Sequence, residues 1–194
     1  MRDDLRADMT HVDVGSGTGH VPLAIATAGV GGDGAQIRVV AVDPQAKPTK
    51  RVQRRLANGQ TGVVQFVRAN GTQLPIADAS ADQASTFFVL HHIPYDTQLH
   101  VLADIRRVLK TDGRWYIWED TPQTPREYRA NERWDRRLNF EPRGEPHYYR
   151  PADQWRKLLT EHGFELLRQA YYENQSRWPG EGRIRHTGFV LRKL

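Results

Sequence analysis

The sequence predicts an α/β chain: a doubly wound, mostly parallel seven-stranded sheet with an antiparallel C-terminal hairpin. Three observations predict it. Short apolar runs alternate with helix-patterned stretches up to about residue 120, as a parallel sheet covered on both faces requires. The first of those runs leads through a glycine turn, Gly15-Ser16-Gly17-Thr18-Gly19, into a helix-like stretch. Two strand-like runs separated by a turn close the chain, and a hairpin on a parallel sheet gives a mixed sheet.

Each element has its own signal. Val12 to Val14 reads as the first strand and Val21 to Ala28 as the first helix, followed by a glycine-rich turn from Gly29 to Gly34. Ile37 to Val42 is a buried-looking second strand ending in Asp43-Pro44. Pro48 to Leu56 has helical composition, with Pro48 suited to a first helical turn. Val63 to Val67 and Gln83 to Leu90 read as the third and fourth strands, with an Asn70-Gly71 turn after the third. From Thr97 to Leu109, Leu99, Leu102, Ile105, Val108 and Leu109 form a helix-spaced apolar stripe. Asp112-Gly113 marks a turn before a fifth strand, Trp115 to Trp118, which ends at Glu119. Glu127 to Leu138 and Pro151 to His162 read as helices, the latter stopped by Gly163. Phe164 to Tyr171 and Arg183 to Leu191 are the final strands, with Trp178-Pro179-Gly180 in the loop between them.

Composition narrows the function. The chain has 194 residues, so one domain over residues 1–194 is expected. It has no cysteine, which excludes disulfides, thiolate metal sites and thiol nucleophiles. No run is long enough for a membrane span and the first residues are too polar for a signal peptide, so the cytoplasm is the expected location. The net charge is +5, but acidic residues are interspersed nearly everywhere and no clean cationic stripe is visible.

The glycine turn carries the chemistry. Glycines adopt positive φ and let a ligand approach the backbone, while N–H groups at the helix start face that ligand. A dinucleotide fingerprint would place its last glycine at His20, but the third glycine falls one residue earlier, at Gly19. The pattern from Asp13 through Gly15, Gly17 and Gly19 instead resembles motif I of the class I S-adenosylmethionine-dependent methyltransferases. Leu74-Pro75, Asp78, Asp82 and Leu90-His91-His92-Ile93 are similar to that family's second motif region, with Ala81 replacing its usual aromatic residue. Residues 10 to 120 carry the resemblance well and residues 150 to 194 loosely. The similarity leans toward the small-molecule branch that includes the quinone-biosynthesis enzymes.

The resemblance implies a Rossmann-like methyltransferase fold, S-adenosylmethionine as cofactor and methyl transfer to a small molecule. It implies a cofactor site of Asp13, Gly15, Ser16, Gly17, Thr18, Gly19, Asp43, Pro44, Asn70, Gly71, Thr72 and Phe87. Asp13 would sit near the cationic end of the cofactor or hold the loop. Asp43, at a strand end, can accept from both ribose hydroxyls, and Pro44 would wall the adenine. Asn70 stands where the family often has an aspartate, and its side-chain carbonyl could accept from the adenine amine.

His91, His92 and Glu119 are the catalytic candidates, as bases at the carboxyl edge of the sheet. Their alternative is structural: strand-end packing for the histidines, a cap or surface acid for Glu119. No metal site is expected, since adjacent histidines on a strand point to opposite faces. Arg126 to Arg150, rich in aromatics and arginines, falls in an expected substrate-lid insertion at about 120–150. It could roof a flat substrate, stack on bases, or pack as an ordinary charged helix. Cover for the acceptor would come from residues 120 to 150 or from a partner subunit, a homodimer being one form, or be missing. A nucleic-acid or protein acceptor, or a cofactor-binding subunit without catalysis, are the alternatives. The sequence has no Asn/Asp-Pro-Pro-aromatic tetrapeptide, which argues against methylation of amino groups on DNA bases.

Overall fold

The computed structural model describes residues 1, 4–29, 36–59, 61–139, 145–175 and 183–194. The glycine-rich stretch beyond Gly29, Phe140 and the Trp178-Pro179-Gly180 loop lie outside the described residues.

Seven strands form one sheet. β1 (Thr10–Val14), β2 (Arg38–Asp43), β3 (Val63–Arg68), β4 (Ala81–Phe87) and β5 (Leu109–Asp120) run parallel. β6 (Phe164–Gln175) and β7 (Arg183–Lys193) join antiparallel, β7 lying against β5. The order is β3-β2-β1-β4-β5-β7-β6. The chain therefore reverses its winding between β1 and β4, where ligands bind in open α/β sheets.

The interior strands are apolar because both sheet faces are covered. On one face, α3 (Tyr95–Val108) and α5 (Ala152–Glu161) close a core around Val12, Val14, Val101, Leu102, Ile105, Trp115, Trp155 and Phe189. On the other, α1 (His20–Ala28) packs Ile25 and Ala26 against Ile37 and Val39. In α3 the buried positions Gln98, Val101, Leu102, Ile105 and Val108 recur at helical spacing. α2 (Lys50–Ala57) buries only Val52.

Several boundaries differ from the sequence reading. Pro48 precedes α2 instead of opening it; Thr49 caps the helix, its side chain accepting the Val52 N–H at 3.3 Å. β4 ends at Phe87, so Leu90–His92 forms a short 3₁₀ turn and not a strand end. β5 begins at Leu109: Ala81 pairs with Leu109 and Gln83 with Arg114, so the expected Asp112-Gly113 turn is a bulge within the strand. α4 (Pro125–Asn139) is longer than the helix read from Glu127 to Leu138. It also exposes Arg126, Arg129, Arg133 and Arg137 at spacings of three and four residues. That is a basic stripe the interspersed charges of the sequence concealed.

Candidate active site

The glycine turn sits at the carboxyl end of β1 because its amides are tied to β2. The Gly15 and Ser16 N–H groups both donate to the Val42 carbonyl, at 2.8 and 3.1 Å. Gly15 and Gly17 have φ of 82° and 48°, the left-handed region glycine occupies without strain. A Cβ on Gly15 would lie 2.2 Å from a Val89 methyl carbon, whereas one on Gly17 would meet nothing within 4 Å. The turn is thus packed on one side and open at Gly17.

Asp43 completes the turn. Its Oδ2 accepts the Gly17 N–H at 2.9 Å, and its Oδ1 accepts from Gln45 and Ala46 at 2.7 and 3.1 Å. A carboxylate has roughly four lone-pair sites, so one remains for a ligand hydroxyl. At the third strand end, the Asn70 side-chain carbonyl accepts the Thr72 N–H at 3.2 Å and the Thr72 hydroxyl at 2.7 Å. That oxygen, expected to face an adenine amine, closes an Asx turn here.

These strand ends open into a cleft of about 710 Å³. Of the expected cofactor residues it is lined by Gly15, Gly17, Thr18, Asp43, Pro44, Asn70, Gly71, Thr72 and Phe87. Asp13, Ser16 and Gly19 are buried away from its wall. Asp13 is held between β1 and β4, accepting from the Ser85 hydroxyl, which also contacts His11 Nε2 at 2.8 Å. Burial, reinforced by the charge of Asp43, pushes the Asp13 carboxyl up to about 7 against the pull of Ser85. The Asp13 side chain therefore ties β1 to β4. The wall also takes in Phe88, Val89, Ile93, Thr97, Val101 and Asn139, which sequence reasoning missed. Phe88 has φ of 58°, unusual for an aromatic residue, and only three-dimensional placement could have singled it out.

The catalytic candidates divide. His92 lines the cleft; His91 and Glu119 lie fully buried behind it. Glu119 Oε1 accepts the Val89 and Leu90 N–H groups at 2.9 and 2.8 Å, while Oε2 lies 2.6 Å from His91 Nδ1. Burial pulls the His91 imidazole down, but the charge of Glu119 and the nearby Asp135 carboxylate outweigh it and hold the imidazole up at about 10. The expectation that His91 and His92 point to opposite faces fails: on a 3₁₀ turn their rings lie 4.1 Å apart.

The aromatic segment packs inward. Tyr149 is buried, bonds Asp135 through its hydroxyl and stacks on His91 at 5.0 Å. Tyr128 donates to the His147 carbonyl at 2.6 Å, and the Tyr148 N–H donates to the His91 carbonyl at 2.7 Å. Residues 145–150 and α4 are thereby fastened over the histidine turn.

A glycine turn after β1, an acid at the tip of β2 and a crevice at the reversal of strand order define a Rossmann-like nucleoside-binding domain. The family model described as "Methyltransferase domain" matches residues 12–117. The chain belongs to this family, the class I S-adenosylmethionine-dependent methyltransferases. It is 34% identical over 112 residues to an uncharacterized methyltransferase of Mycobacterium ulcerans, covering 58% of this chain and 39% of that protein. It is 29% identical over 114 residues to the ubiquinone/menaquinone biosynthesis C-methyltransferase UbiE of Brucella anthropi, covering 59% of this chain and 41% of that one. The chain thus spans about two fifths of the length of these curated relatives.

Among solved structures, a Methanosarcina mazei S-adenosylmethionine-dependent methyltransferase superposes with a TM-score of 0.71 at 20% identity, covering 99% of this chain and 95% of that one. A Burkholderia thailandensis 1,6-didemethyltoxoflavin-N1-methyltransferase, with bound 1,6-didemethyltoxoflavin and S-adenosylhomocysteine, gives 0.69 at 22% identity, covering 96% and 72%. Both likenesses bear on the fold, and S-adenosylmethionine is the cofactor of the family.

Proposed function

We propose that this chain transfers a methyl group from S-adenosylmethionine to a small-molecule acceptor. The observation that carries the reading is the convergence of Gly17, Asp43 and Asn70-Gly71 on one cleft. The residues fit the cofactor: the open space at Gly17 admits a ligand against the backbone, and Asp43 keeps acceptor capacity for a ribose. A cleft of about 710 Å³ has the size of a small-molecule site.

The bound cofactor supplies an activated methyl group on a positively charged sulfur. The chain holds the acceptor in line with it and excludes water. Val89, Ile93 and Val101 give the cleft apolar wall, and Asn139 brings the end of α4 to it. His92, on the cleft wall, is placed to take a proton where the acceptor must lose one. His91 and Glu119 act as positioning groups that set the histidine turn. The UbiE and toxoflavin enzymes, by their names, act on small molecules, which supports an acceptor of that size.

The exposed arginines of α4 favour a second reading, a nucleic-acid acceptor drawn by its phosphates. One experiment separates the two. The chain is incubated with methyl-tritiated S-adenosylmethionine and fractionated cell extract. Label in the small-molecule fraction is expected. Label confined to the RNA, DNA or protein fraction would overturn the proposal.

A further inference from the structure

We propose that His91, His92 and Asp135 form a binding site for a first-row divalent cation of the zinc type, at the wall of the cleft. One ligand atom from each lies within 4.8 Å of the others. Small side-chain shifts bring such atoms to the roughly 2.0–2.2 Å that zinc–nitrogen and zinc–oxygen bonds require.

The surroundings are those of a ligand set. Metal-binding histidines usually give their second ring nitrogen to a carboxylate, which fixes tautomer and orientation. His91 does this: Nδ1 faces Glu119 Oε2 at 2.6 Å, and Glu119 is itself anchored by two backbone N–H groups. That leaves His91 Nε2, buried and 3.4 Å from Asp135 Oδ2, too far for a good hydrogen bond. Asp135 has a supporting partner in turn, the Tyr149 hydroxyl. Glu119 and Asp135 place two buried carboxylates beside the His91 ring.

The donor chemistry selects the ion. Two imidazoles and one carboxylate suit zinc, cobalt, nickel or ferrous iron, whereas magnesium and calcium prefer all-oxygen sites. His92 belongs both to this cluster and to the cleft wall, so with the ion bound its nitrogen serves the metal and not as a base, and the ion would present a coordination position to the cleft. Such a position takes an anionic oxygen. If the methyl-transfer reading holds, the acceptor carries a phenolate, enolate or carboxylate there.

The test needs neither cofactor nor acceptor, so its outcome is independent of methyl transfer. Untagged, chelator-stripped protein is dialysed against zinc and analysed by atomic emission, then titrated with cobalt and followed by ligand-field absorption. The expected result is one equivalent of metal and cobalt bands of a low-coordinate nitrogen/oxygen site. His92→Ala, at an exposed position, and Asp135→Asn should each weaken binding by at least about tenfold, with circular dichroism reporting the fold. Should Asp135→Asn unfold, His92→Ala decides alone. Failure to retain zinc or cobalt at micromolar concentration would overturn the proposal. So would unchanged stoichiometry and affinity in folded His92→Ala, since the metal would then lie elsewhere.

Discussion

The Gly17 amide donates to the Asp43 carboxylate at 2.9 Å, joining the glycine turn to the tip of β2 across a separation of 26 residues. The acid proposed to hold a ribose thus also shapes the loop proposed to receive the rest of the cofactor. Loop order and cofactor affinity are coupled through one side chain.

Replacing Asp43 with alanine therefore removes both roles. The affinity for S-adenosylmethionine should fall by about 1.5–3 kcal/mol, or roughly 10- to 150-fold, the range for hydrogen bonds to a charged group. Equilibrium binding on a folded variant checks it. Unchanged affinity would remove Asp43 from the site.

The two glycines should respond differently to alanine. At Gly15 the new methyl meets Val89 at 2.2 Å and the backbone stays at φ 82°, so strain and overpacking add to several kcal/mol of lost stability. At Gly17 only the backbone cost of about 1 kcal/mol applies, because the Cβ meets open space. Gly17→Ala should instead weaken cofactor binding, since its methyl enters the cleft. Thermal unfolding and calorimetry on the pair measure this contrast.

Asp13 makes stability depend on pH. Its carboxyl is pushed up to about 7 from the ordinary 3.8, so the native state keeps a proton that the unfolded chain releases. Stability from this group is full below about pH 4 and falls as pH rises through about 7. His11, in the same network and pulled down to about 4 by burial, works in the opposite direction. The difference between wild type and Asp13→Asn isolates the aspartate. Urea unfolding at several pH values should show Asn gaining on Asp between about pH 4 and 7; a constant difference would contradict it.

Arg107 staples the loop between β3 and β4. It donates to the Ile76 and Leu74 carbonyls at 2.9 and 3.0 Å and pairs with Asp104 and Asp78 at 2.6 Å each. Arg107→Met should lose about 1–3 kcal/mol, less than the bond count suggests because the guanidinium is part-exposed. Chemical denaturation would register it, together with faster amide exchange at Leu74 and Ile76.

The sheet was legible because its determinants are local. Val12 to Val14, the apolar run before Asp43 and the stripe Leu102, Ile105, Val108 each declare strand or helix by period alone. The cleft was legible in outline for the same reason, since Gly15 to Thr18, Asp43 and Asn70 to Thr72 stand at strand ends. What escaped depends on contacts distant in sequence. That Asp13 turns inward rests on Ser85, that Glu119 orients His91 rests on β5 lying beside β4, and that Asp135 and Tyr149 reach the histidines rests on α4 folding back. The histidine pair departs from strand alternation because past Phe87 the backbone tightens into a 3₁₀ turn.

Calorimetry of the purified chain with S-adenosylmethionine, and separately with NAD(H), decides which cofactor the cleft takes. One equivalent of S-adenosylmethionine is expected to bind, with no heat from NAD(H). Binding of NAD(H) alone would contradict it.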